Sequence, residues 1–349
     1  MNYFCCDYHE GAADSVMRAL QETNFEQSVG YGRDAYCEEA RALIASKLGA
    51  FSGEVHFVVG GTQANATVIA AGLAPYQGVI CAQSGHINVH ETGAVEATGH
   101  KCLAVEGDEL GRVRPEAVRT VLESHFAHGE NEHEVMPGML YISNTTEAGG
   151  IYTRKELREL RALCDEYGLL LFLDGARLGY ALRTPGNDLT LADLAAFCDA
   201  FTIGGTKQGL LFGEAIVLSR PERFPHFRYM IKRQGGMLAK GRLLGLQFKA
   251  IFECDEYFEL AGRAVNQALQ IRQALLAAGI ASDVDSLSNQ QFFFLPRSLD
   301  EALKADFAFE RAAETEEGVH VRICTSWATP PERTQALISA IQRWHGNEA

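Results

Sequence analysis

Between about residues 54 and 220 the chain alternates short, almost unbroken apolar runs with amphipathic stretches of helical period, and this alternation is the strongest constraint on its fold. Apolar runs without polar alternation suit strands buried on both faces, as in a parallel sheet covered by helices. The runs predict strands at Val55–Val59, Gly78–Ala82, Lys101–Val105, Met139–Ser143, Leu169–Leu173, Ala200–Ile203 and Ala215–Leu218. Strands interleaved with helices make an α/β layer with a mainly parallel sheet. Thr153-Arg-Lys-Glu156 and Thr190-Leu-Ala-Asp193 read as capping-box helix starts, and Thr329-Pro-Pro-Glu332 puts proline at a first helical position.

Beyond Gly235-Gly236 the texture changes. A long helix is expected from about Leu238 to Ala278, then short strands near Gln291–Leu295 and Val319–Cys324, then a helix to about Trp344. The expected division is an N-terminal arm and large domain over 1–240, and a small C-terminal α+β domain over 241–349. With 349 residues and 47% hydrophobic content there is material for two cores.

A net charge of −14 without long runs of one sign argues against nucleic-acid or anionic-membrane partners and leaves small metabolites. Nine scattered cysteines with no C-x-x-C spacing signal neither a disulfide framework nor a zinc site. No metal is expected. The first residues lack a basic region followed by an apolar stretch, and no run is long enough to span a bilayer, so a cytoplasmic location is expected.

The candidate chemistry collects at predicted strand ends. Gly61, Thr62 and Gln63 follow the first run at a helix start, where free N–H groups can hold a phosphate; an ordinary βα turn is the plainer reading. The segment matches neither G-x-G-x-x-G nor G-x-x-x-x-G-K-[ST], which counts against nicotinamide and P-loop chemistry. His86 and His90 follow the second run between glycines, where an imidazole can stack on a ring. The other loop histidines, His9, His100, His125, His128 and His133, read as solvated.

Asp174 ends the fifth run, with Arg177 three residues on; the two could face one pocket or pair with each other. Lys207 stands beside Thr206 in a glycine-rich turn, a setting in which a lysine amine becomes reactive. Arg322 lies in a late apolar strand, either as a fork for a carboxylate or as an edge-strand charge facing water. A lysine able to form an imine, with a carboxylate at the end of a buried strand, is what a pyridoxal phosphate (PLP) enzyme requires: the carboxylate keeps the pyridine nitrogen protonated so the ring can accept electrons.

In order along the chain, Tyr31-Gly32-x-Asp34, Gly61-Thr62-x-x-Asn65, His86-x4-Glu91-x-Gly93, Leu173-Asp-Gly-Ala-Arg-Leu178, Thr206-Lys207 and Arg322-x-x-Thr325-x-Trp327 resemble the threonine aldolase/β-eliminating lyase family of fold-type-I PLP enzymes, from about residue 3 to 344. The resemblance implies an aspartate-aminotransferase-like large domain with a mainly parallel seven-stranded sheet. By the same resemblance Lys207 would form the imine, Asp174 would meet the pyridine nitrogen and His86 would stack on the ring. Gly61, Thr62, Gln63 and Thr206 would hold the phosphate. Arg177 and Arg322 would meet the substrate carboxylate. It further implies a homodimer or homotetramer with sites at the dimer interface, Tyr31 coming from the partner, and Lys232 and Lys240 reaching a neighbour's phosphate.

The chain departs from the family at three points. Ser143-Asn-Thr-Thr-Glu147 stands where the family has Glu-Asn-Thr-His-Asn, so its histidine is Thr146 here; Cys6 replaces a carboxylate-binding serine; and Leu238-Ala239 replaces an Arg-Gln pair. The implied activity is retro-aldol cleavage of a threonine-like β-hydroxy-α-amino acid to glycine and an aldehyde, with β-elimination or transamination of another small amino acid as the alternative. For the β-hydroxyl proton, His86 or His90 is the expected base, with Glu147 third.

Overall fold

The computed structural model describes residues 1–127, 129 and 131–348. A short strand, β1 (Asn2–Phe4), leaves the start of the chain to join a second sheet described below. All seven expected runs then form strands: β2 (Glu54–Val58), β3 (Gln77–Ala82), β4 (Cys102–Val105), β5 (Met136–Ser143), β6 (Leu170–Asp174), β7 (Ala200–Gly204) and β8 (Glu214–Leu218). They build one sheet in the order β2-β8-β7-β6-β5-β3-β4. β8 runs antiparallel to both its neighbours, and every other pair is parallel, so β2 points the same way as β3 to β7.

Burial on both faces explains the unbroken apolar runs. Successive strand residues point to opposite faces, so Leu171 and Leu173 of β6 enter one core and Leu170 and Phe172 the other. Helices Pro115–Phe126, Arg154–Tyr167, Leu191–Phe197 and Arg242–Glu253 close the first core; Gly61–Gly72 and Phe227–Arg233 close the second. Both capping boxes form at Thr153 and Thr190. Pro331 does open the last helix, Pro331–Glu348, but the Thr329 hydroxyl turns back to accept from the Ser326 N–H at 2.8 Å.

The long helix expected from Leu238 to Ala278 is two helices, Arg242–Glu253 and Glu256–Ala277. They break at Cys254-Asp255, where Asp255 takes φ +57°, a left-handed backbone that no continuous helix contains. The second sheet has the order β1-β11-β12-β10-β9, with β9 (Ser282–Val284), β10 (Gln290–Pro296), β11 (Phe307–Glu314) and β12 (Gly318–Cys324). β1 pairs in parallel with β11, which ties the N-terminal arm to this sheet.

Candidate active site

Because β2, β3, β5, β6 and β7 share one direction, the turns after them open along one edge of the sheet, where open α/β folds bind ligands. A cavity of about 130 Å³ lies there, lined by Gly61, Thr62, His86, Ser143, Thr145, Glu147, Asp174, Ala176, Arg177 and Lys207. Six of the expected site residues (Gly61, Thr62, His86, Asp174, Arg177 and Lys207) thus line one space.

Asp174 is buried at the cavity floor. Its Oδ1 accepts from the Ala176 N–H at 2.8 Å; its Oδ2 accepts from Asn65 Nδ2 at 2.8 Å and from the Tyr141 hydroxyl at 2.7 Å. A carboxylate offers about four acceptor positions, so these donors leave one for a ligand cation. Asn65 also donates to Glu91 Oε1 at 2.8 Å, and the same oxygen lies 2.8 Å from His86 Nδ1. A chain of hydrogen bonds therefore fixes the floor carboxylate and the imidazole together. The hydrogen bond to Glu91 raises the His86 pKa, against the opposing pull of burial.

Arg177 does not pair with Asp174. Its Nε and Nη2 grip Asp7 at 2.8 and 2.9 Å, and Asn289 Nδ2 adds a third donor to Asp7 at 3.0 Å. This two-pronged ion pair leaves Nη1 of Arg177 outside it, on a residue that lines the cavity. Burial alone would raise the Asp7 pKa; the Arg177 guanidinium outweighs it and holds the carboxyl below its ordinary value. Lys207 pairs with no carboxylate among the described residues, its Nζ lying 5.9 Å from the Tyr8 ring centre. Glu214, opposite Gly204 in the β7–β8 pair, is fully buried with Oε2 unpartnered; burial pushes its carboxyl up to about 8, while Lys207 pulls the other way.

The remaining expectations fare differently. Gln63 turns its side chain to Val59 N–H and the Gln234 carbonyl, leaving only its backbone N–H for a ligand at the helix start. Thr206 Oγ1 accepts from the Gly213 N–H at 3.1 Å. His90 is exposed, its ring centre 5.6 Å from that of His86, and it does not line the cavity. Arg322 is no edge-strand charge: β12 lies inside its sheet, and the side chain bonds Glu310, Gln290 and the Cys5 carbonyl rather than lining the cavity. Cys6 is buried beside Asp7, also off the cavity wall. Tyr31 is exposed and does not line this cavity; Arg228 donates to its carbonyl and Lys232 lies over its ring. Lys232 and Lys240 are both exposed. Thr146 closes a turn with Gly150 and bonds the Leu110 carbonyl, pointing away from the cavity. His9 and His133 are exposed as expected, but His100 and His125 are buried, His100 by bonding the Gln77 carbonyl at 2.9 Å; His128 lies outside the described residues.

Sequence reasoning gave no role to Asp7, Asn65, Tyr141 or Asn289. Asn65 and Glu91 stand at fixed steps from Gly61 and His86, a spacing that signals them. Asp7 and Asn289 come from distant parts of the chain and carry no local signal.

The residues present fit PLP. Gly60 and Gly61 face open space where a Cβ would stand, and the first N–H groups of helix Gly61–Gly72 have no acceptor within the helix, which suits a phosphate. Asp174 keeps one acceptor position for a protonated pyridine nitrogen, and Lys207 is an unpaired amine on the same cavity. Fold and site together define a PLP-dependent enzyme of the aspartate-aminotransferase fold. The chain belongs to the beta-eliminating lyase family, whose model matches residues 5–296. It is 29% identical to a low specificity L-threonine aldolase of Pseudomonas aeruginosa over 97% of this chain and 96% of that one. A second low specificity L-threonine aldolase, from a Pseudomonas species, is 31% identical over 78% of each chain. The solved Leishmania major threonine aldolase superposes with a TM-score of 0.95 at 39% identity, covering 99% of this chain and 100% of that one. A Thermus thermophilus aspartate aminotransferase shares the fold at a TM-score of 0.71 and 17% identity, covering 98% of this chain and 91% of that one.

Proposed function

We propose that this chain is a threonine aldolase, cleaving a β-hydroxy-α-amino acid of the threonine type to glycine and an aldehyde. The observation that carries the reading is the joint placement of Lys207, Asp174 and His86 on one cavity, in a chain matched along its length to threonine aldolases. Bound PLP supplies an electron-accepting ring for the bond broken at the substrate's Cα. Lys207 provides the amine that holds it, and Asp174, with its open acceptor position, keeps a proton on the pyridine nitrogen. His86, braced by Glu91, covers one ring face. The start of helix Gly61–Gly72 would take the phosphate through backbone N–H groups, and the Thr206 hydroxyl would add a donor. Nη1 of Arg177 orients the substrate carboxylate and so fixes which Cα bond lies across the ring.

The working unit is a homodimer. Tyr31 is exposed away from its own cavity, near exposed Phe25 and Val29, a surface suited to a second copy whose site Tyr31 completes. Nine unpaired cysteines support a reducing, cytoplasmic compartment. Among the described residues no helix is long and apolar enough to cross a membrane.

The test is a substrate panel of threonine, allo-threonine, serine and cysteine on the purified holoenzyme. Aldehyde and glycine from the first two are expected. Pyruvate from serine or cysteine with no aldehyde from threonine would replace this reading with β-elimination. In Lys207→Ala, borohydride-fixable cofactor colour should vanish; unchanged absorbance and reducibility would move the imine to another residue.

A further inference from the structure

We infer that Glu147 is the catalytic base that takes the β-hydroxyl proton during cleavage, an inference that rests on the aldolase reading above. The titratable side chains lining the cavity are His86, Glu147, Asp174, Arg177 and Lys207. Asp174 is held by three donors and keeps its last position for the pyridine nitrogen. Arg177 stays protonated and has no acceptor. Lys207 is committed to the cofactor. His86 has its Nδ1 held by Glu91, and the reading above commits its ring to the cofactor's face.

Glu147 is placed differently. Its Oε1 accepts from the His86 backbone N–H at 3.0 Å and from Ser143 Oγ at 3.2 Å, which fixes the carboxyl in one pose. No other described residue donates to Oε2, and the side chain lines the cavity. The adjacent Thr146, which occupies the family's histidine position, is spent on Leu110 and Gly150, so it cannot serve. The base has moved one residue along the same loop. Burial raises the Glu147 pKa from its ordinary value, the direction that strengthens a carboxylate as a base.

In the step, the Glu147 carboxylate takes the proton from the β-hydroxyl. The released O–H pair becomes the second bond of the aldehyde C=O, the Cα–Cβ bond breaks, and its electron pair stays with Cα, where bound PLP would accept it. Cα later takes up one proton from solvent as glycine forms, and Glu147 returns its own to solvent, so the cycle closes without net change.

The test uses the Glu147→Gln holoenzyme beside wild type; glutamine keeps the shape and still accepts from the His86 N–H. Threonine cleavage should fall about 10²–10⁴-fold, the usual worth of general-base assistance. Exchange of the glycine α-proton with deuterium needs no β-hydroxyl base and should persist within a few-fold, and the acid limb of the kcat/KM profile should disappear. Glu147→Asp should recover part of the cleavage. In the cofactor-free chain, the wild-type minus Glu147→Gln infrared difference should contain one carboxyl band with a raised pKa, apart from that of Glu214, which both proteins share. Cleavage within tenfold of wild type, or parallel loss of glycine exchange and cleavage, overturns the assignment. Wild type making no aldehyde from threonine overturns the aldolase reading itself.

Discussion

Removing Asp7 should disable the site and weaken the fold by separable routes, because Asp7 is the counter-charge of Arg177. The side chains are 0% and 12% exposed, and they meet through two hydrogen bonds at 2.8 and 2.9 Å. Deleting one partner of such a buried pair leaves the other charge uncompensated and costs about 3–5 kcal/mol. Arg177 keeps one edge on the cavity, where water can reach it, so the lower end, about 3 kcal/mol, applies; at 1.4 kcal/mol per decade this is about 100-fold in the folding equilibrium. The assay is a double-mutant cycle of Asp7→Ala, Arg177→Ala and the pair by denaturant unfolding, at fixed protein and cofactor concentration. A coupling of about 2–3 kcal/mol is expected. The sign with pH follows from the lowered Asp7 pKa: the contribution is full above the unfolded aspartate value near 4 and fades as pH falls through the lower native value. A coupling under about 0.5 kcal/mol would refute the argument, since additive costs mean that the two groups do not support each other. On the catalytic side, Asp7→Asn should raise KM for threonine more than it lowers kcat, because it loosens the arginine proposed to hold the carboxylate.

Glu91→Gln should lower the His86 pKa toward the free imidazole value, since the hydrogen bond to Glu91 is the largest cause of its rise; NMR titration of the His86 ring reads this, and an unchanged pKa would remove Glu91 from that role. Gly175→Ala places a Cβ against the Thr202 carbonyl oxygen within the turn that carries Asp174 to Arg177, so it should lower stability by about 1–3 kcal/mol and weaken cofactor binding; a variant with wild-type unfolding and PLP affinity would contradict the geometry.

How far the molecule could be read from its sequence follows from where each signal lies. The strands of the large sheet are local and unbroken, because both faces of Leu170–Asp174 and its neighbours must be apolar, so their run of residues is self-evident. β11 was hidden for the opposite reason: after Phe307 and Phe309 it becomes exposed Glu310, Arg311 and Glu314, a stretch whose strand state depends on pairing with β12 rather than on its own pattern. The break at Asp255 was equally hidden, since nothing but φ marks it. The site divides along the same line. Lys207, Asp174, His86 and the Gly61 turn sit at the ends of legible strands, so their convergence follows from the sheet's common direction. Arg177 sits there too, yet its state is decided by Asp7, which β1 carries in from the second sheet, and by Asn289, which lies just ahead of β10. The arginine proposed to anchor the substrate's carboxylate is therefore braced by residues bound to the other sheet, so any shift of that sheet against the large one must act on Arg177 through Asp7. No pattern within the Asp174–Arg177 turn could have shown that link.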